Sequence, residues 1–179
     1  KRSILPPENI LSVFLETGVE LWRKMEDGII DFDELQRIRF NIIFKKTGIN
    51  CDGEEFEADF RKNLASSAIP VDNAKEILEY LSSKYKVFAT SNASQGQQEK
   101  RIEKAGLSPF IDEIITSERI GFMKPDKRFF DGCIALLQNI SRDEIIMIGD
   151  TLNADIRGGK DSGLLTCWFN RKGANAPLD

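Results

Sequence analysis

The sequence predicts an α/β protein in which a helical module precedes a doubly wound parallel sheet. Apolar residues recur at helical spacing through residues 8–64. After Pro70, short apolar runs alternate with helical segments, which is the pattern of βαβ units. Two of those runs end in small polar or acidic residues, at Ser91-Asn92 and at Gly149-Asp150. Open α/β sheets place their ligand sites at such carboxyl ends.

The elements follow in order. Ile10, Val13, Phe14, Val19, Leu21, Trp22 and Met25 mark a first helix that Gly28 breaks. A second starts near Asp33, carries Leu35, Ile38, Ile42 and Ile43 on one side, and stops at Gly48. A third follows Asp52, with Phe56, Phe60 and Leu64 at four-residue steps. Such a run forms a small bundle rather than part of a sheet. Asp72 is expected to cap a helix to about Lys84, followed by a strand over 86–90 and a helix over 94–105 that Gly106 ends. Strand 113–116, helix 126–138, strand 145–149, helix 153–162 and strand 164–168 complete the alternation. The run Ile145-Ile146-Met147-Ile148 predicts a strand buried on both faces. The boundary falls near residues 66–71, giving a helical domain over 1–68 and an α/β domain over 69–179.

Composition excludes several chemistries. The chain has 179 residues, 41% of them hydrophobic, enough for one core and a small second module. Histidine is absent, so there is no Ser-His-Asp triad and no His-ligated zinc. Charged residues make up 30% in mixed sign, with net charge −4 and no basic stripe, which argues against a nucleic-acid partner. No apolar run is long enough to span a bilayer, and no signal peptide is visible at Lys1, so no membrane partner is expected. Cys51, Cys133 and Cys167 lack paired spacing and read as reduced thiols of a cytoplasmic protein. Cys133 and Cys167 sit among apolar neighbours and are expected in the core.

Three fragments carry chemistry. In Gly149-Asp150-Thr151-Leu152-Asn153-Ala154-Asp155 the strand delivers Asp150 to the sheet end, where a carboxylate suits a hard cation such as Mg²⁺. The bland alternative is a strand, a turn and a helix capped by Asn153. Thr90-Ser91-Asn92 ends another strand, though Ser-Asn is also an ordinary turn pair. Lys124-Pro125-Asp126 sets one Lys before a helix start; Pro125 suits a first helical turn and Lys124 could be a solvated loop charge.

Their order, strand-Ser-Asn, then Lys-Pro-Asp, then strand-Gly-Asp-x₄-Asp, resembles the haloacid dehalogenase superfamily of phosphatases over about Pro70 to Asn170. The resemblance implies a Rossmann-like core, incomplete at both ends of this sequence, with residues 1–68 as its α-helical cap. It implies a phosphomonoester hydrolase that uses Mg²⁺ and an aspartyl-phosphate intermediate. Ser91 Oγ and the Asn92 N–H would donate to phosphoryl oxygens, and Lys124 would neutralise the phosphate. Asp150 would complete the metal site, and Asp155 would orient ligands or contact Lys124. The segment Leu165-Thr166-Cys167-Trp168-Phe169-Asn170 after Gly158-Gly159, and Leu21-Trp22 followed by Gly28-Ile29-Ile30, resemble the pyrimidine 5′-nucleotidase branch. The implied partner is a small phosphate ester, and the expected state is a monomer or homodimer. Phe14, Trp22, Phe40 and Phe44 could face a base, but their spacing favours packing in the helical core.

The superfamily's first motif, an apolar strand ending in Asp-x-Asp-x-Thr, has no good match. Ile29-Ile30-Asp31-Phe32-Asp33 contains Asp-x-Asp, yet only two apolar residues precede it and helix formers follow. Asp31 or Asp33 is better read as a helix cap. The nucleophile is therefore expected upstream of Lys1, on a strand lying between strands 86–90 and 145–149. If Lys1 were the true start, an inactive binding or regulatory module would be the favoured alternative. A 2-haloacid dehalogenase or a sugar-phosphate mutase would share the fold, and Gly149-Asp150-x₄-Asp155 argues against the metal-free dehalogenase.

Overall fold

The structure, a computed structural model, describes residues 6–175 apart from Gln138 and Lys172. It divides into two compact units, Lys1–Ser67 and Ala68–Asp179.

The first unit holds helices α1 (Ile10–Glu26), α2 (Phe32–Thr47) and α3 (Gly53–Ser66). The capping chemistry is local. Asp31 accepts the Glu34 N–H at 2.7 Å to start α2, and Gly48 ends it in the left-handed region at φ 71°. Asp52 accepts from Glu54 and Glu55 N–H to start α3. Asp31 thus serves as a cap, and Asp33 lies in the first turn of α2. Phe40, Ile43 and Phe44 form the core, with Ile10, Val13, Phe14, Ile49 and Phe60 against it. Edge-to-face contacts join Phe40 to Phe56 and Phe60, at 4.7 and 5.1 Å between ring centres. Phe14, Phe40 and Phe44 therefore pack in this core, whereas Trp22 is partly exposed and leans on Phe32. Arg39 pairs with Glu57 inside the unit, Nε to Oε2 3.0 Å, with its guanidinium 4.9 Å from the Phe60 ring centre. Leu11, Leu15 and Val19, at four-residue steps on α1, stay exposed.

The second unit alternates as expected: α4 (Ala74–Ser82), β1 (Phe88–Ser91), α5 (Gln95–Lys104), β2 (Glu113–Thr116), α6 (Ser117–Ile120), α7 (Lys127–Leu136), β3 (Ile146–Gly149), a π-helical turn (Leu152–Arg157), α8 (Gly158–Asp161) and β4 (Leu165–Trp168). β1 pairs parallel with β2, Phe88 opposite Glu113, and β3 with β4, Ile146 opposite Leu165. Among the described residues β1 and β3 are not hydrogen-bonded to each other. The strands therefore make two parallel pairs over one shared core. Ile115, Phe129, Phe130 and Cys133 are its buried centre, and Phe88 of β1 and Met147 of β3 both pack on it. No helix is long and apolar enough to cross a membrane among the described residues.

Several expectations need correction. β3 is not buried on both faces: Met147 is half-buried, while Ile146 and Ile148 are 55% and 50% exposed. Successive strand side chains point to opposite faces, and the described helices cover one of them. Cys167 lies on the uncovered face of β4 and is exposed, not core. Asn73, in the left-handed region at φ 61°, rather than Asp72, precedes α4. The last helix starts one residue early and is split, a π-helical turn running into α8.

Candidate active site

The site is built where β1 and β3 end. Asn92 follows β1, and its carboxamide clamps the main chain of Lys124. Its Nδ2 donates to the Lys124 carbonyl, and its Oδ1 accepts from the Lys124 N–H, both at 2.9 Å. Ser117 Oγ donates to the Asn92 carbonyl at 3.1 Å, holding the clamp from the end of β2. Two hydrogen bonds to one peptide segment fix the loop before α7 in position and in rotation.

Lys124 is therefore not a solvated loop charge; it is 7% exposed. Its ammonium donates to Asp155 Oδ1 at 2.7 Å and to the Thr90 carbonyl at 3.2 Å, with Thr90 Oγ1 at 3.5 Å. Asp155 is equally buried, and its Oδ2 accepts the Thr151 N–H at 3.1 Å. A buried ammonium is tolerated because it has both an opposite charge and further acceptors.

Glycines make room for this pair. A Cβ on Gly149 would fall on the Asp155 carboxylate. A Cβ on Gly158 would meet the Phe130 ring at 2.8 Å and Pro125 Cα at 3.0 Å, so α8 can lie against the start of α7 only without one. The π-helical turn that carries Asp155 shows both an i→i−4 bond, Asp155 N to Thr151 O at 2.9 Å, and an i→i−5 bond, Ile156 N to Thr151 O at 3.3 Å.

Ser91 and Asp150 stand at the rim. Ser91 Oγ accepts from Ala93 N–H at 3.1 Å and from Gln98 Nε2 at 3.0 Å. Asp150 is exposed, and its carbonyl accepts from Trp168 Nε1 at 3.1 Å. Its carboxylate has Thr151 Oγ1 at 3.5 Å. Among the described residues no direct hydrogen bond joins Asp150 to Ser91, Asn92 or Lys124; the link runs through Thr151 and Asp155. The described residues contain no group of three or more acidic or thiol side chains set to hold a metal. A single open carboxylate still fits a magnesium ion, which commonly takes one or two carboxylates, waters and substrate phosphate. Asp155 is committed instead to Lys124 and to the Thr151 N–H.

Thr90, Gln98, Ser117 and Thr151 were not singled out from the sequence. Hydroxyls and carboxamides are common in loops and carry no spacing signal, and only the folded chain brings them to Lys124 and Ser91.

Comparison with known proteins adds identity to this geometry. Residues 19–169 match the family described as haloacid dehalogenase-like hydrolase. HAD-hydrolase YfnB of Bacillus subtilis (strain 168) is 35% identical over 150 residues, 84% of this chain and 64% of the relative. Pyrimidine 5′-nucleotidase YjjG of Escherichia coli (strain K12) is 31% identical over 150 residues, 84% of this chain and 66% of the relative. The chain thus spans just under two thirds of the length of these two relatives. A crystal structure of B. subtilis YfnB bound to magnesium superposes with a TM-score of 0.91 at 30% identity, covering 99% of this chain and 79% of that one.

Proposed function

This chain belongs to the haloacid dehalogenase-like hydrolases, and from that premise we propose that it forms part of a Mg²⁺-dependent phosphomonoester hydrolase of the pyrimidine 5′-nucleotidase-like branch. The substrate class is a nucleotide or another small phosphate ester. The observation that carries this reading is the interlock at Lys124. Asn92 holds its main chain, Thr90 and Asp155 hold its ammonium, and Thr151 ties Asp155 to the end of β3. Three segments that are far apart in sequence thereby share one network beside Ser91 and Asp150.

In this reading Ser91 Oγ and the Asn92 N–H donate to phosphoryl oxygens, and Lys124 offsets phosphate charge near the strand ends. Asp155 keeps Lys124 in place. Asp150 would hold the magnesium ion, which when bound screens the anionic substrate from an anionic nucleophile. The reading calls for an aspartate nucleophile, which the described residues do not bring to this site. Its attack on phosphorus would break the bond to the ester oxygen, release the alcohol and form an aspartyl-phosphate; water would then displace the carboxylate and release phosphate, splitting one displacement into two. The name of the YjjG relative supports a nucleotide as substrate. Residues 1–68 correspond to the helical cap module of the family, and the free thiols are consistent with a cytoplasmic setting.

The test is phosphate release by the full-length protein from a panel of nucleoside 5′-monophosphates and sugar phosphates. Release should require Mg²⁺ and stop with a chelator. Asp150→Asn should lower it by about a hundredfold. Metal-independent turnover, or an Asp150→Asn protein as active as wild type, would sink the reading.

A further inference from the structure

Ser91 carries a constraint that its motif does not explain. A serine hydroxyl has one donor hydrogen and two acceptor lone pairs. Both lone pairs are engaged from the protein side, by the Ala93 N–H at 3.1 Å and by Gln98 Nε2 at 3.0 Å. The Ala93 donor is set by the chain path. The Gln98 donor is a side chain, half-buried on the second turn of α5, with Ser91 as its hydrogen-bonding partner. Its neighbour Gln95 is used elsewhere, donating to the Ile114 carbonyl and accepting from Thr116 Oγ1.

With both lone pairs taken, the Ser91 hydrogen has to point away from these two donors. We infer that Gln98 is a positioning residue: it keeps the Ser91 hydroxyl as an outward hydrogen-bond donor, aimed at an anionic oxygen. The inference rests on the reading of Ser91 as a phosphate contact and adds the device that orients it. A free hydroxyl rotor would have to be reoriented as charge develops on the phosphoryl oxygens. One already turned outward needs no such reorganisation.

Gln98→Glu tests this, because a carboxylate can only accept. At about pH 8 it would capture the Ser91 O–H and turn it inward. In the full-length protein, kcat should fall by about 30-fold with little change in KM. As the pH falls through about 6 to 4, the carboxyl protonates and becomes a donor, so activity relative to wild type should recover to within about threefold. Gln98→Leu should show a smaller loss with no such recovery. With Ser91→Ala already present, Gln98→Glu should cost less than about twofold more. Circular dichroism on each variant keeps folding separate from turnover. Should Gln98→Glu match wild type at about pH 8, Gln98 would be presenting its carbonyl to Ser91 and the inference would be overturned. Equal, pH-independent losses in the Glu and Leu variants would also overturn it, leaving a packing role only. A wild-type protein inert towards every phosphate ester would defeat the proposed function itself. That failure is distinguishable because it shows before any substitution is made.

Discussion

Among the described residues each unit buries one ion pair, and the two pairs differ in what surrounds them. Arg39–Glu57 lies in the helical unit among aromatic rings, with side chains 12% and 6% exposed. Lys124–Asp155 lies in the α/β unit, with both side chains 9% exposed. The guanidinium of the first pair lies over the Phe40 and Phe60 rings, 5.4 and 4.9 Å from their centres. The second touches a strand-end carbonyl, a threonine hydroxyl and a backbone N–H, beside Ser91 and an open Asp150. On the proposed reading, burial alone does not mark a functional charge. What distinguishes Lys124 is that its neighbours come from the ends of strands in different pairs.

The largest effect should come from breaking the second pair. Lys124→Met should lower turnover by about a thousandfold or more. It should also destabilise the protein by about 3 kcal/mol, because Asp155 is left buried without its counter-charge. Urea denaturation and kinetics on one preparation check both. An active Lys124→Met protein would remove the difference between the pairs.

The first pair should behave otherwise. Arg39→Met strands Glu57 and should cost a similar 3 kcal/mol or so, read as a lower denaturation midpoint. Turnover per folded molecule should stay within about twofold. A loss of turnover as large as that of Lys124→Met would mean that both pairs serve catalysis.

The smallest effect concerns the thiols. Burial pushes the Cys133 thiol up to about 11, while Cys51 and Cys167 are exposed. At about pH 8 a thiol reagent should modify Cys51 and Cys167 quickly and Cys133 only after unfolding. The sign of the linkage is set by the raised value. Cys133 adds stability while the unfolded thiol stays protonated, and that contribution is lost as the pH rises from about 9 to 11. Rapid labelling of Cys133 in the folded protein would contradict its place in the core.

The helical unit was the more legible in the sequence. Asp31, Gly48 and Asp52 act within a few residues of themselves, so their capping roles follow from local chemistry. In the α/β unit the alternation of strands and helices was equally plain, and so were the fragments holding Asn92, Lys124 and Asp155. Their joining was not. The Asn92 carboxamide spans 32 positions to reach the Lys124 main chain, and nothing in either residue type announces that bond. Nor did the sequence separate a strand covered on both faces from one covered on a single face. Ile146 and Ile148 are as apolar as a buried strand requires, yet no described element packs over them. Asn73 took the position expected for Asp72 because it tolerates the left-handed conformation that the turn before α4 demands.

Gly149 restricts how this site can vary by substitution. The Asp155 carboxylate occupies the space where any other residue at 149 would put its first side-chain atom. Positions 149 and 155 therefore cannot be treated as independent in a substitution library. Any residue but glycine at 149 forces the acid at 155 aside and with it the anchor of Lys124, although position 149 bears no reactive group. A scan that scored only titratable side chains would pass over it. A saturation scan should find glycine alone tolerated at 149 while residue 155 keeps a side chain, because the Asp155 Cβ stands as close to that point as its carboxylate does.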